Sequence, residues 1–326
     1  MEVYEMEVKE IRIGDLCPAT FINQKIDKIK ESVRKGLAVN ALSGGVDSSA
    51  VTVMGYIALG NRLKTYFIDT GLMREGEPQQ VATYFEIMGI PIEIIDAQGR
   101  FFDALKGLTD PEEKREAITR TFYKDVFADL IRQSGARYLL QGTNYTDVEG
   151  TVAGVKRQHN ILEQLGINTE EQFGYRVIEP LVQLRKPAIR EVAKALALPK
   201  AIYNRPPFPG PGLAIIVKGE VTPERVRIVR KATKIVEEVL SDTGAFQYLA
   251  ILHEDKFTGV RQGKRDYGFQ IEIRCWESAD AKTGLPTRPS YDILDLLAEK
   301  IPTEVPGVVS VTYNITKKPP STIEAE

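Results

Sequence analysis

Between residues 22 and 33 the apolar side chains Ile22, Ile26, Ile29 and Val33 recur at steps of four, three and four, with polar and charged residues between them. That period predicts a helix with one apolar face. Gly36 ends it, and residues 37–42 read as a short buried strand that stops abruptly at Ser43-Gly44-Gly45. From Asp47 onward, small and cap-forming residues lead into a second helix that closes near Gly60. The alternation then repeats. Residues 63–69, 92–96 and 138–141 read as strands, and the stretches around 76–88 and 113–133 read as helices. Strands alternating with helices predict a doubly wound, mostly parallel α/β sheet, whose ligands bind beyond the carboxyl ends of the strands.

Residues 144–174 are polar and weakly periodic and read as a long loop with a short helix near 158–165, the kind of segment that serves as a lid. A helix at 187–197 follows. The run Arg205-Pro206-Pro207-Phe208-Pro209-Gly210-Pro211-Gly212 suits neither helix nor central strand, because proline lacks the amide donor and fixes its own φ. It marks a boundary. Beyond it, helices at 222–240 and 290–300 with strands at 247–252, 269–274 and 307–315 predict a second, smaller α+β domain. The expected division is a lead-in over 1–21, a nucleotide domain over 22–205 and a C-terminal domain over 206–326.

Composition narrows the chemistry. The 326 residues carry 43 Lys+Arg against 45 Asp+Glu, a formal net charge of −2, which disfavours a domain-wide nucleic-acid surface. No apolar run approaches the ~20 residues of a membrane span, and the acidic N-terminus lacks the features of a signal peptide, so no membrane association and a cytoplasmic location are expected. The two cysteines, Cys17 and Cys275, lie far apart, and the two histidines are His159 and His253; a disulfide framework, a Cys-rich zinc site and triad chemistry all lack raw material.

The turn Ser43-Gly44-Gly45-Val46-Asp47-Ser48-Ser49 joins a strand to a helix, so its backbone can approach an anion at the positive end of the helix. It lacks the lysine of a Walker A loop and the glycine spacing of a Rossmann turn. It matches the SGGxDS loop of N-type ATP pyrophosphatases, the PP-loop, which cleave ATP between the α- and β-phosphates. Ser43, Ser48 and Ser49 offer hydroxyls to the pyrophosphate, and a carboxylate at Asp47 implies Mg2+ between it and the phosphates. A purely structural strand-helix turn is the alternative. The next strand ends in Asp69-Thr70-Gly71-Leu72-Met73-Arg74. It is expected beside the first turn, with Asp69 near the nucleotide and Arg74 near an anionic substrate; taken alone, these residues also read as a turn former and a surface charge.

From about residue 22 to Glu326 the chain resembles the ATP pyrophosphatase subunit of GMP synthase, of the separate-subunit kind seen in archaea. The resemblance rests on residues 43–49 and 67–77, the run Ala104 to Lys114, and Gln141-Gly142-Thr143. It also rests on Pro207 to Ala214, Gly219-Glu220-Val221-Thr222, Arg274 and Lys318-Pro319-Pro320-Ser321-Thr322-Ile323-Glu324. It implies an adenine nucleotide alpha hydrolase-like fold with a dimerisation domain, ATP and Mg2+ as co-substrate and cofactor, and adenylylation of xanthosine monophosphate (XMP) followed by amination to GMP. It implies that Gly142 and Thr143 contact ATP, that Asp147 lies near nucleotide and metal, and that Lys156 neutralises phosphate from a lid. Arg205, Lys318, Ile323 and Glu324 would surround the acceptor nucleotide. A homodimer is implied too. Neither cysteine sits in a glutaminase nucleophile motif, so ammonia is expected from solution or from a separate glutamine amidotransferase subunit.

Several positions depart from the family pattern. The lid reads Lys156-Arg157-Gln158-His159-Asn160 where Lys-Ser-His-His-Asn is usual, Pro206 replaces a histidine, the segment 144–150 differs, and the chain ends Ile323-Glu324-Ala325-Glu326 rather than in Ile-Glu-Trp-Glu. These leave open a related PP-loop enzyme with another purine nucleotide as acceptor, or a protein that binds nucleotide without turnover. A tRNA-thiolating pyrophosphatase is disfavoured by the absence of a cysteine pair and of a basic surface.

Overall fold

The computed structural model describes residues 8–152, 175–279 and 283–322. Up to Arg205 the chain runs through α1 (Pro18–Val33), β1 (Ala38–Ala41), α2 (Val46–Leu59), β2 (Leu63–Asp69), α3 (Glu77–Ile87), β3 (Glu93–Asp96), α4 (Gln98–Leu105), α5 (Pro111–Arg120), α6 (Ala128–Ser134), β4 (Tyr138–Leu140), α7 (Tyr145–Val152), β5 (Arg176–Ile178), α8 (Lys186–Ala195) and α9 (Lys200–Tyr203). It continues through α10 (Pro223–Leu240), β6 (Gln247–Arg261), β7 (Lys264–Glu277), β8 (Leu285–Pro286), α11 (Tyr291–Glu304) and β9 (Val308–Tyr313). Two compact units result. The first takes the described residues up to Ile68 with Pro78–Asp96 and Tyr123–Arg205; the second takes Asp69–Glu77, Ala97–Phe122 and the described residues from Pro206 onward.

The first unit is the doubly wound α/β domain. Its five-stranded sheet has the order β3-β2-β1-β4-β5, with β1 parallel to both β2 and β4, and β4 parallel to β5. The strand order reverses between β1 and β4, and a crevice opens where such connections leave in opposite directions. Helix α1 begins with Pro18 at a position that needs no amide donor, and it buries Phe21, Ile22, Ile26, Ile29 and Val33, the face set by the hydrophobic spacing. Helix α2 is buried on nearly all sides, including Ala50, Val51, Val53 and Met54, because it packs against both α1 and α8. Its length therefore could not be read from amphipathicity.

Three differences from the expected elements have physical causes. The stretch expected as one helix over 113–133 is α5 and α6 joined by a π-helical turn at Thr121–Phe127, whose i→i+5 bonding puts more residues in each turn and so changes the phase of the buried face. Strand β5 is a three-residue edge strand with partly exposed side chains, too short to show alternation. Residues 145–152, expected as loop, form α7, nucleated by Asn144, whose Oδ1 accepts from the amides of Thr146 (2.9 Å) and Asp147 (3.3 Å). The helix expected near 158–165 lies outside the described residues.

The second unit carries a mixed sheet. β7 pairs antiparallel with β6 and β8 and parallel with β9, and α10 packs on β6. The hairpin β6–β7 extends well past the expected strands, closing through Gln262 and Gly263 with φ of 50° and 73°, the positive values of a two-residue hairpin turn. Its outer half, residues 254–266, is largely exposed and so lacks the alternation of a one-sided strand. Among the described residues no helix is long and apolar enough to cross a membrane.

Candidate active site

The site is assembled at the reversal between β1 and β4. Leu42 N still donates to Tyr66 O (2.8 Å) as the last sheet bond beyond β1, and Ser43-Gly44-Gly45 then turns into α2. The first bond of that helix runs from Ser49 N to Gly45 O (3.0 Å), which leaves the amides of the first turn facing the crevice, where the helix end favours an anion. Ser48 Oγ donates to Gly45 O (3.1 Å) and accepts from Ser43 N (3.2 Å). It also lies 3.0 Å from Ser43 Oγ, so with its own proton on Gly45 it receives the Ser43 hydroxyl proton. Both oxygens of this pair are thus held in place before any ligand arrives. Ser49 differs from its neighbours: it is wholly buried and its Oγ has no partner among the described residues.

Asp47 lies in the first turn of α2 with its side chain 16 % exposed. One carboxylate oxygen, Oδ2, accepts from Asn144 Nδ2 at 3.4 Å and from the ammonium of Lys186. The other, Oδ1, is buried with no partner among the described residues. A buried acceptor left bare costs roughly 1–3 kcal/mol, so a cation or a donor is the expected occupant beside it. Among the described residues no group of three or more His, Cys, Asp or Glu could cage a metal by itself. A single carboxylate oxygen fits Mg2+, which keeps several waters and takes its remaining ligands from phosphates.

The β4 side closes the crevice. Gly142 approaches the turn so closely that a Cβ placed there would sit 3.1 Å from Ser48 N and 3.2 Å from the Asp47 carbonyl carbon. Thr143 Oγ1 donates to Glu179 Oε1 at 2.5 Å, and Asp147 Oδ2 accepts from Asn144 N at 3.0 Å. Asn144 therefore touches both acidic residues singled out in the sequence, Asp47 and Asp147. Burial, with Tyr175 and Asp147 nearby, pushes the Tyr123 phenol above the ordinary tyrosine range.

Lys186, Arg185 and Asn144 were missed by the sequence reading. Arg185 donates through both terminal nitrogens to Glu149 (2.9 Å each) and through Nε to Glu10 (3.0 Å), and it stacks on Tyr145. A signal did exist. Two adjacent cations at the start of a helix oppose its dipole, so carboxylate partners had to lie nearby.

The remaining expected site residues are distributed as follows. Arg205 is half-buried at the end of the first unit. Asp69, Arg74 and Lys318 belong to the second unit. There Asp69 accepts from Gly71 N (2.9 Å) and Gln98 Nε2 (3.1 Å). The Arg74 guanidinium is buried between Glu77 (3.3 Å) and Glu237 (2.8 Å) and lies 4.4 Å from the centre of the Phe208 ring, so an anion could reach it only by exchanging these partners. Lys318 borders an open depression of about 650 Å³ with Phe246, Glu277, Ser278 and Thr283. Lys156, His159, Ile323 and Glu324 lie outside the described residues. Cys275 is buried with its thiol pushed up by desolvation, Cys17 is exposed, and His253 is bonded to Glu272.

Two family models match the chain, one described as NAD synthase over residues 19–210 and one described as GMP synthase C terminal domain over 233–325. The chain is 49 % identical over 306 residues to the B subunit of the glutamine-hydrolyzing GMP synthase of Archaeoglobus fulgidus, a match covering 94 % of this chain and 98 % of that one. The corresponding B subunit from Pyrococcus abyssi is 45 % identical over 309 residues, covering 94 % and 98 %. The glutamine-hydrolyzing GMP synthase of Pyrobaculum aerophilum is 42 % identical over 327 residues, covering 97 % of this chain but 64 % of that protein. With identity near one half over almost the whole length of both chains in the B subunits of Archaeoglobus and Pyrococcus, this chain belongs to the family of GMP synthase B subunits.

Proposed function

We propose that this chain transfers the adenylyl group of ATP to O2 of XMP and then lets ammonia displace AMP, forming GMP. In the first step a bond forms between O2 and the α-phosphorus while the bond to the β-phosphate bridge breaks, releasing pyrophosphate. In the second, ammonia adds at C2 and AMP departs with the former O2. Adenylylation converts a poor leaving oxygen into a good one.

The observation that carries this reading is the pre-built turn with, beside it, a buried Asp47 Oδ1 that has no partner among the described residues. The Ser43 and Ser48 hydroxyls and the first amides of α2 hold the departing pyrophosphate, an arrangement aimed at the charge that grows as the bond breaks. Mg2+ bound at Asp47 would supply further neutralisation of that charge. Gly142 lets the β4 end close on the turn, and Thr143 and Asp147 border the nucleotide; Ser49 and Val46 complete the ATP side. Lys156 would add positive charge from the lid. Arg205, Lys318, Ile323 and Glu324 are assigned to the acceptor, whereas the Arg74 charge is taken up by Glu77 and Glu237.

Ammonia comes from a separate glutamine amidotransferase subunit. Support lies in the Archaeoglobus and Pyrococcus relatives, each named as the B subunit of a glutamine-hydrolyzing enzyme, and in the roughly one-third of the Pyrobaculum protein that this chain leaves unmatched. The C-terminal unit pairs two such chains in a homodimer. The test is to incubate the chain with ATP, Mg2+, ammonia and a panel of purine monophosphates. XMP alone should elicit AMP and pyrophosphate; ADP with phosphate, or no acceptor dependence, would overturn the reading.

A further inference from the structure

Asp47 Oδ2 takes its two partners from two different helices: Asn144 directly precedes α7, and Lys186 is the first residue of α8. The starts of these helices are fastened to each other at one residue. Arg185, the N-cap of α8, has extended backbone (φ −89°, ψ 163°) and makes no side-chain capping bond; its side chain reaches α7 instead. There its two terminal nitrogens donate one each to the two oxygens of Glu149 at 2.9 Å, and the guanidinium lies 4.8 Å from the centre of the Tyr145 ring. Tyr145 and Glu149 are four residues apart and so share one face of the helix. A single planar fork therefore meets α7 twice, and neither contact can turn without disturbing the other. Tyr145 N adds a third tie by donating to Leu184 O at 2.9 Å. From the lead-in, Glu10 accepts from Arg185 Nε at 3.0 Å, and Ile11 N donates to Gln183 O at 2.9 Å.

This clamp adjoins the phosphate turn on both sides, since Asn144 is the neighbour of Tyr145 and Lys186 the neighbour of Arg185. The two adjacent cations oppose the dipole of α8, and each is met by its own carboxylates, Lys186 by Asp47 and Arg185 by Glu149 and Glu10. We propose that Arg185 is a positioning residue for the phosphate turn: by locking the start of α7 to the start of α8, it keeps Asn144 and Lys186 together on Oδ2 of Asp47, so that Oδ1 is the oxygen left for a cation. This rests on the assignment of the turn to ATP made above. Arg185 acts through Asn144 and Lys186 rather than on Asp47 itself, and Glu10 brings the lead-in into the same device.

The test follows exchange of labelled pyrophosphate into ATP by the full-length chain, with XMP varied at saturating ATP and Mg2+. Arg185→Met removes the side-chain bonds of the clamp while keeping much of its bulk. The ion pairs it loses are partly exposed, and such pairs add little to stability, so the variant should fold. Exchange at saturating substrates is expected to fall roughly 10- to 100-fold, as small misplacements around the reacting centre do, with the KM for XMP within about 2-fold of wild type. A crystal structure of the variant should show Asn144 and Lys186 no longer together on Asp47 Oδ2, a change that a merely stabilising clamp would not produce. Wild-type exchange, a KM for XMP raised as far as the rate is lowered, or both Asp47 bonds intact in the variant would overturn the proposal. Arg185→Lys keeps the charge but cannot make two bonds to Glu149 with the same planar fork. It should show a smaller loss of the same kind, and it decides the matter if Arg185→Met does not fold. Asp47→Asn separates the two levels. If it abolishes exchange while Arg185→Met exchanges normally, only the positioning role falls; if both exchange at the wild-type rate, the assignment of the turn to ATP falls as well.

Discussion

Gly142→Ala is the smallest change that tests whether the β4 end and the phosphate turn act as one device. The added methyl would meet Ser48 N at 3.1 Å and the carbonyl and β carbons of Asp47 at 3.2 Å, contacts a few tenths of an ångström too short. Two of these are backbone atoms, and the third is the root of a side chain held by Lys186 and Asn144. None can swing away as the tip of a flexible side chain would, so the turn itself must shift. Overpacking of this kind costs about 1–3 kcal/mol of stability, which leaves a large domain folded. The catalytic cost should be greater in proportion, because the displaced groups are those aimed at the departing phosphate. A shift of a fraction of an ångström is expected to slow ATP–pyrophosphate exchange by roughly 10- to 100-fold. Exchange measured with labelled pyrophosphate at saturating ATP and XMP reports that step, and a thermal melt reports the fold. Exchange at the wild-type rate in a variant whose melting point has dropped would show that the turn absorbs the displacement, and the coupling argument would be wrong.

Replacing Asp47 with Asn keeps the shape and removes the charge that faces the bare position; exchange should fall by about 100-fold or more with unchanged circular dichroism, and retention of exchange would remove Asp47 from the mechanism. The purified chain should form GMP with ammonium but not with glutamine as nitrogen donor, and glutamine-dependent turnover without a second subunit would refute the assignment of the glutaminase to a partner. Lys25 provides a pH prediction. Burial, and to a lesser degree Lys28, lowers its ammonium from the ordinary 10.5 to about 8. The unfolded chain therefore binds the extra proton between about pH 8 and 10.5, so this group makes stability rise with pH through that window. Lys25→Met should abolish that part of the rise in denaturant melts, whereas parallel pH curves for the two proteins would show that the lysine is not desolvated.

The nucleotide-binding sheet was legible because each of its parts is a local signal. β1 is an apolar run broken only by Asn40, its end is marked by Gly44 and Gly45, and α1 shows its buried face at helical spacing. What escaped depends on residues distant in sequence. Asn144 joins Asp47 and Asp147 across about 100 positions of chain, and Lys186 reaches Asp47 from further still. Neither has a local period, because what selects them is a tertiary charge partner. Arg74 shows the converse. A lone cation after a strand suggested an anion site, but its charge is already met by Glu77 and Glu237 and its face by Phe208. The long hairpin β6–β7 was half visible for a related reason: its base alternates against a core, whereas its tip is exposed.

The most direct test of the central claim follows one oxygen atom. XMP carrying 18O at position 2 is incubated with the chain, ATP, Mg2+ and ammonia, and the AMP formed is analysed by mass spectrometry. One labelled oxygen should appear in the AMP phosphate for each GMP made, because that oxygen attacks the α-phosphorus and leaves with it. AMP free of label, with the 18O in water or retained on the purine, would contradict the account.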